Sequence, residues 1–102
     1  MTGIDILEVE RIGKAIKNKR FLDRTFTKSE QEYINTHGNP AETATGLFCA
    51  KEAVIKAIGE GYLIDYEIMH KYDGKPYITG REDLEISISH CKTYAVAICI
   101  KK

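Results

Sequence analysis

Three acidic side chains and one lysine have the chemistry to bind a metal ion together with phosphate groups. Asp5 interrupts an apolar stretch near the N-terminus, and Glu8 follows three residues later. Glu52 and Lys56 lie four residues apart in the segment FCAKEAVIKAIGEG, residues 48–61. Carboxylate oxygens are the ligands that Mg²⁺ prefers, and Mg²⁺ commonly binds substrate phosphates as well. With the lysine and the backbone of nearby glycines, this set would suit a pyrophosphate.

Each of these residues also has an ordinary structural interpretation. On a helix, Glu52 and Lys56 would form an exposed ion pair worth about 0.3 kcal/mol. Glu8 would favour the positive N-terminus of a helix that follows a strand. Spacing alone therefore leaves the metal and pyrophosphate site open beside this structural interpretation.

The first elements of the chain are indicated by their apolar patterns and by a helix-start signal. The stretch TGIDIL predicts a short central strand around Asp5. The following stretch VERIGKAIKN places Val9, Ile12 and Ile16 on one face of a helix. Thr27 begins a capping box, TKSE, that predicts a second helix.

A long helix is predicted from residue 40 to about Ile58. The stretch NPAE, residues 39–42, supplies a capping asparagine, a proline at the first helical position and a glutamate near the positive end of the dipole. Gly59 and Gly61 supply a C-terminal stop. These signals place Glu52 and Lys56 on one rigid element.

Most of the circumference of this long helix is apolar. The remaining polar stripe is narrow and comprises Thr45, Glu52, Lys56 and Gly59. Lys51 lies inside the apolar arc, where an unpaired ammonium group is costly. It therefore either extends its charged end to water or pairs with an acidic group of the first strand.

After the long helix the pattern is that of a sheet. YLIDYEIMHKYDGKPYIT predicts two strands around an Asp-Gly turn, and DLEISISHCKTYAVAICI predicts two more. Both faces of the last strand are apolar, one with Tyr94, Val96, Ile98 and Ile100 and the other with Ala95, Ala97 and Cys99. One face can cover the long helix, and we expect the other to meet a neighbouring subunit.

Length and composition restrict the class of protein. The 102 residues, 43% hydrophobic and 29% charged, predict a single domain, residues 1–102, small enough to favour oligomerisation. No apolar run reaches membrane-spanning length and the N-terminus lacks a signal-peptide pattern, so we expect a cytoplasmic protein with no membrane partner. The three cysteines form no CxxC pair and are expected to be buried, and the three histidines lack zinc-ligand spacing.

Four stretches of the chain resemble the motifs of the phosphopantetheinyl transferases. GIDILE, residues 3–8, is similar to the motif G-x-D-x-x-E, and FCAKEAVIKAIGEG is similar to F-x-x-K-E-x-x-x-K-A-x-G-x-G. YDGKPYI and SISHCKTYAVAICI follow where the family has its G-K-P turn and its S-H-x-x-x-Y-A strand pair. The resemblance is to the short bacterial type, the holo-acyl-carrier-protein synthases, and covers nearly the whole chain.

The resemblance implies a reaction, a fold and a set of catalytic residues. Such enzymes move 4′-phosphopantetheine from coenzyme A to a serine of an apo-acyl carrier protein, and they have an α+β fold assembled as a homotrimer. By position, Asp5 and Glu52 would hold Mg²⁺, Glu8 belongs to the same acidic site, and Lys56 would meet phosphate. The base that takes the serine proton stays open between Glu52, Glu8 and a water on the metal.

The resemblance also implies residues that bind the coenzyme. His90 is expected near its phosphates, and Gly59 and Gly61 would let it approach the backbone, although a turn-end histidine and a plain helix cap are the structural alternatives. Gly74, Lys75 and Pro76 correspond to a turn that borders the adenine from a neighbouring subunit, and Asp-Gly is also ordinary hairpin chemistry. Leu47 stands where many members have an arginine for the 3′-phosphate.

A basic stretch after the first strand suggests where an acidic partner docks. Acyl carrier proteins are acidic helical bundles, and the resemblance implies docking on Arg11, Lys14 and Lys17. A solvated basic face is the structural alternative. A nucleic-acid partner is not expected, since no stacking aromatics alternate with these charges. A non-catalytic trimeric module that binds coenzyme A or the carrier protein is the alternative function.

Overall fold

The computed structural model describes residues 1–102 as a long helix packed against a three-stranded antiparallel sheet. The elements are β1 (Thr2–Glu8), α1 (Val9–Ala15), α2 (Lys19–Thr25), α3 (Lys28–Thr36), α4 (Pro40–Ile58), β2 (Ile68–His70), β3 (Pro76–Ile78), β4 (Leu84–His90) and β5 (Tyr94–Lys101). The sheet order is β1-β5-β4, and β2 and β3 form a separate hairpin. α4 contacts all three strands of the sheet. The predicted α+β class is confirmed.

The helix-start signals act as the sequence predicts. The Thr27 hydroxyl accepts a hydrogen bond from the Glu30 backbone N–H at 3.2 Å, and the Glu30 carboxylate accepts one from the Thr27 N–H at 2.9 Å. The Asn39 side chain accepts from the Glu42 N–H at 3.1 Å. α4 ends at Gly59, whose φ of 90° is left-handed and suits glycine. α3 and α4 therefore begin as predicted, and α4 ends there too.

Three expectations about the elements are wrong. β1 is an edge strand, because β5 pairs with both β1 and β4 and so occupies the centre. The helix after β1 ends at Ala15 and leaves Ile16 as its cap, and a separate helix, α2, begins after Asn18, whose side chain caps it. The predicted strand around YLID is instead a 3₁₀ turn at Leu63–Asp65.

The inner face of the sheet forms the core with α4. Ala95, Ala97 and Cys99 of β5 are buried there, within one apolar cluster of 18 buried residues. Cys49 of α4 is buried in the same cluster, but Cys91 is exposed because it lies in the turn between β4 and β5. The expectation that all three cysteines are buried is therefore wrong for Cys91.

The outer face of the β1–β5 pair is apolar and uncovered in the single chain. Ile4 and Ile6 of β1 are 59% and 63% exposed. Ile4 pairs with Ile98 of β5, and Ile6 pairs with Val96. These cross-strand pairs form a continuous apolar surface, here called the outer sheet face, that a lone chain leaves in water.

Gly3 sets the distance between β1 and the second half of α4. A Cβ atom at this position would clash with the Ala53 carbonyl oxygen and lie 2.7 Å from the Ala57 nitrogen. Only glycine lets the two backbones approach so closely. Asp5, two residues further on, lies on the same face of β1 and so meets α4 near Lys56.

Candidate active site

Asp5 and Lys56 form an ion pair where β1 crosses α4. The Lys56 Nζ lies 3.1 Å from the Asp5 Oδ1 and also donates a hydrogen bond to the Ile4 carbonyl at 3.0 Å. The Asp5 side chain is only 14% exposed, whereas that of Lys56 is 53% exposed. The carboxylate is thus held inside the fold with a partly exposed cation beside it.

Glu52 lies one helical turn before Lys56 and is half-buried. Burial raises the pKa of its carboxyl, the charge of Asp5 raises it further, and Lys56 opposes both effects. Asp5 and Glu52 are therefore close enough to repel each other. A group of positive charge between them would relieve that repulsion.

The Asp5 Oδ2 is the one buried side-chain oxygen or nitrogen of the chain without a hydrogen-bond partner. Such an atom needs an explanation, and a bound ion is an accepted one. Two adjacent carboxylates offer hard oxygen ligands that fit Mg²⁺. No three His, Cys, Asp or Glu side chains converge tightly enough to hold a metal by themselves. The protein would thus supply two ligands, leaving the others to water and substrate.

Glu8 stands apart from this pair. It is exposed and is the N-cap residue of α1, where its side chain makes no capping hydrogen bond. Glu8 pairs in register with Tyr94 of β5. Because Glu8 follows Asp5 by three positions, the two carboxylates belong to opposite faces of β1. Within one chain the predicted group of three carboxylates is therefore reduced to Asp5 and Glu52.

A buried thiol forms the inner wall of the site. Burial raises the pKa of Cys49 to about 12, and the negative charge of Asp5 raises it as well. Its Sγ donates to the Ala95 carbonyl at 3.4 Å. A thiol with this pKa stays neutral at physiological pH, so Cys49 is an uncharged neighbour of the carboxylates.

Two residues of the predicted polar arrangement on α4 have other partners. Thr45 is buried, and its hydroxyl donates to the Ala41 carbonyl at 2.6 Å, so it does not belong to a polar stripe. Lys51 neither reaches water nor pairs with β1. Its Nζ lies 2.7 Å from the Glu30 carboxylate of α3, with both side chains 0% exposed. Both expectations for Lys51 are therefore wrong.

A second group of predicted residues lines a cavity of about 340 Å³ at the other end of α4. Gly74, Pro76 and His90 are among its lining residues, together with His37 and His70, which the sequence did not single out. Lys75 points elsewhere and lines a different surface pocket. His90 has its Nδ1 3.1 Å from the Glu42 carboxylate. We call this the histidine cavity.

The carboxylate site and the histidine cavity are separate places on one chain. Gly46 lines the cavity and Glu52 belongs to the carboxylate site. Six residues of α-helix rise about 9 Å, and reaching Lys56 adds about 6 Å more. The predicted coenzyme-binding residues are thus divided between two surfaces of one chain.

The two glycines after α4 have different surroundings. Gly61 has a φ of 98°, and a Cβ atom there would clash with the Tyr66 ring. Tyr66 in turn donates its hydroxyl to the Glu60 carbonyl at 2.7 Å. Gly59 faces open space, with no atom within 4 Å of where its Cβ would be. Only at Gly59 is the backbone therefore free to receive a ligand.

Comparison with known proteins identifies the family. A model described as the 4′-phosphopantetheinyl transferase superfamily matches residues 1–99. The chain belongs to this superfamily. The holo-[acyl-carrier-protein] synthase of Fusobacterium nucleatum is 44% identical over 96% of this chain and 94% of the relative. That of Protochlamydia amoebophila is 43% identical over 96% of this chain and 93% of the relative.

Solved structures of the same type share the fold. The Helicobacter pylori holo-[acyl-carrier-protein] synthase in complex with coenzyme A has a TM-score of 0.87 at 30% identity, with 100% of both chains covered. The Bacillus anthracis enzyme in complex with CoA (3′,5′-ADP) has a TM-score of 0.86 at 33% identity, covering 98% of this chain and 93% of that one. The resemblance of the GIDILE and FCAKEAVIKAIGEG motifs, and the enzyme class that it implied, are confirmed.

The basic residues named for a partner of this phosphopantetheinyl transferase are on the surface. Arg11, Lys14 and Lys17 are all exposed, and α1 buries Val9 and Ile12 instead. Lys14 forms an ion pair with Glu10 at 3.2 Å between side chains that are 74% and 78% exposed. Such a pair is weak and can exchange partners. No helix of the chain combines the length and apolar character needed to cross a bilayer.

Proposed function

We propose that this chain transfers 4′-phosphopantetheine from coenzyme A to a serine hydroxyl of an apo-acyl carrier protein. The serine Oγ forms a bond to the β-phosphorus of the coenzyme, the bond to the bridging oxygen breaks, and adenosine 3′,5′-bisphosphate leaves. The observation that carries this proposal is the cluster of Asp5, Glu52 and Lys56, formed from the two family motifs. Similarity to holo-[acyl-carrier-protein] synthases over almost the whole chain supports it.

The residues of the cluster have distinct proposed roles. Glu52 accepts the proton of the serine hydroxyl, because its raised pKa makes it a stronger base than an ordinary carboxylate. Lys56 places its ammonium group beside the departing bisphosphate and offsets its negative charge. Asp5 holds Lys56 in place. Asp5 and Glu52 would hold Mg²⁺, which when bound supplies positive charge to the pyrophosphate.

The direct test is the mass of the carrier protein. An apo-acyl carrier protein is incubated with the enzyme, coenzyme A and Mg²⁺, and its intact mass is measured. We expect a gain of one phosphopantetheine and the release of adenosine 3′,5′-bisphosphate, with no gain when enzyme is omitted. No gain with several carrier proteins, together with tight coenzyme binding, would instead establish the non-catalytic binding module.

We further propose that the functional unit is a homotrimer closed by the outer sheet face. The side chains of Ile4 and Ile6 are largely exposed to water in a lone chain, and burying them against another copy would remove this apolar area from water. A neighbouring copy would also bring its histidine cavity towards the carboxylate site. The coenzyme would then contact both groups of predicted residues at once.

Light scattering tests this assembly. The wild-type chain is expected to have about three times the mass of the 11.5 kDa chain. The variant Ile4→Lys with Ile6→Lys should give monomers, because two buried charges on each copy would be unpaired. The matched control Asn35→Lys changes an exposed polar position of α3, away from the outer sheet face, and should remain trimeric. A monomeric wild-type chain with full activity would refute the trimer.

The basic residues of α1 are proposed to steer the acidic carrier protein. Reversing Arg11 and Lys14 to glutamate should raise the Michaelis constant for the carrier about tenfold and weaken its dependence on salt, because surface charges act mainly through encounter. The constant for coenzyme A should change little. The control variant Lys101→Glu with Lys102→Glu makes the same charge change at the far end of β5. An equal loss for both substrates would contradict docking on α1.

A further inference from the structure

All three histidines of the chain line a single cavity. The chain has 15 lysines and arginines, and none of them lines it. The positive charge that this cavity can offer therefore comes from imidazole groups. Histidine is the side chain whose charge ordinarily changes between pH 5 and 8, so the charge of such a cavity depends on pH.

One tyrosine, Tyr33, stacks on both His37 and His70, which are far apart in sequence. The ring of Tyr33 stacks on His37 with centroids 4.0 Å apart and on His70 with centroids 3.9 Å apart. The planes of Tyr33 and His70 differ by only 1°. This triple stack fixes both imidazoles at the cavity wall before any ligand arrives, which lowers the entropic cost of binding.

Each histidine retains a ring nitrogen for a ligand. The Nδ1 of His37 is near the Thr36 hydroxyl at 2.9 Å and the Tyr33 carbonyl at 3.2 Å, and its Nε2 has no partner in the chain. The Nδ1 of His90 faces Glu42, so its Nε2 is also available. The His70 ring makes no hydrogen bond. Protonated imidazoles are donors at both nitrogens and therefore suit an anion.

Electrostatics within the cavity favour an anionic occupant. Burial lowers the pKa of His70, and the positive charge of His37 lowers it further. An anion between them would offset this repulsion. The other titratable groups near the histidines are Tyr33, which burial keeps neutral, Glu42 beside His90, Lys71 and Tyr72 after β2, and Cys91 after β4. Glu42 opposes an anion, and so would a thiolate at Cys91, whose pKa backbone hydrogen bonds lower, but neither residue lines the cavity.

We infer that the histidine cavity binds the 3′-phosphate of coenzyme A through His37, His70 and His90, so that this chain binds the coenzyme more tightly at mildly acidic than at alkaline pH. The inference rests on the proposed function. The pyrophosphate of the coenzyme is assigned to Lys56 and the carboxylates, which leaves the 3′-phosphomonoester as its other anionic group. In the proposed trimer the cavity belongs to the copy next to the one that supplies Lys56.

Calorimetry with two ligands tests this inference. The trimeric enzyme is titrated with coenzyme A and with 3′-dephospho-coenzyme A at pH 6.0 and pH 8.5, without carrier protein. Binding of coenzyme A should be about tenfold tighter at the lower pH, since each charge-assisted hydrogen bond contributes about that much. 3′-Dephospho-coenzyme A should change much less. The ratio of the two affinities removes any effect of pH on the carboxylate site, which both ligands share.

A matched pair of variants makes the test specific. His37→Phe with His70→Phe keeps a ring on each side of Tyr33 and removes two of the three imidazoles, and should reduce the pH dependence of the ratio to the part that His90 supplies. Lys28→Gln removes an exposed cation of α3 that does not line the cavity and should leave the ratio unchanged. A ratio independent of pH in the wild type, or one unaffected by the double variant, overturns the inference.

The experiments test the proposed function and the histidine inference separately. If the carrier protein gains phosphopantetheine while the affinity ratio is independent of pH, the histidine inference alone is wrong. If neither ligand binds at either pH, both the inference and the proposed transfer are overturned.

Discussion

Replacing Asp5 with asparagine is expected to reduce the rate of phosphopantetheine transfer on the order of a thousandfold. Asparagine has nearly the same shape, so the close packing of β1 on α4 is retained. What is lost is the negative charge of the carboxylate, whose Oδ1 pairs with Lys56 and whose Oδ2 has no partner in the chain. Glu52→Gln should cause a loss of similar size, because it removes both the proposed base and the second carboxylate.

The control for these variants is Glu85→Gln, which neutralises an exposed carboxylate of β4 and should leave the rate unchanged. Rates are measured at saturating coenzyme A and Mg²⁺, and melting curves and light scattering confirm an intact assembly. Glu8→Gln separates the candidate bases. A loss at Glu8 as large as that at Glu52 would assign the base to Glu8, and a near-normal rate for Asp5→Asn would remove Asp5 from the site.

The carboxylate site could be predicted because its parts are local in sequence and are joined by few elements. Glu52 and Lys56 share a helix whose start and end are both signalled, by Asn39 and Gly59. Asp5 lies two residues after Gly3, which must be glycine because β1 crosses close to the backbone of α4 there. The one long-range step, packing of β1 on α4, follows from burial of the apolar face of the long helix.

The histidine cavity could not be predicted from spacing. Its three imidazoles lie on α3's C-terminal cap, on β2 and at the end of β4, and only tertiary packing brings them together. The same reason explains the error at Lys51. Glu30 already had a complete local role in the capping box, so nothing in the sequence indicated that it also receives a lysine from another helix.

The Lys51 network holds four parts of the fold together, and its loss should have the largest effect on stability. The three N–H groups of the Lys51 ammonium reach the Glu30 carboxylate at 2.7 Å, the Leu63 carbonyl at 3.0 Å and the Tyr66 carbonyl at 2.9 Å. The other oxygen of Glu30 accepts from the Ile68 N–H at 2.7 Å. The network thus connects α3, α4, the turn after α4 and β2. Burial lowers the pKa of Lys51, and the charge of Glu30 opposes this.

Lys51→Ala is expected to lower the free energy of unfolding by about 3–5 kcal/mol, because it leaves a buried carboxylate without its cation and two carbonyls without a donor. Lys51→Met fills the same space and should cost less than alanine, since no cavity forms. The exposed control Lys14→Ala should cost less than about 0.5 kcal/mol. Urea unfolding is compared at one protomer concentration, because assembly contributes to stability. A loss below about 1 kcal/mol for Lys51→Ala would mean that water reaches Glu30 in solution and that the buried pair is not what fixes the hairpin against α4.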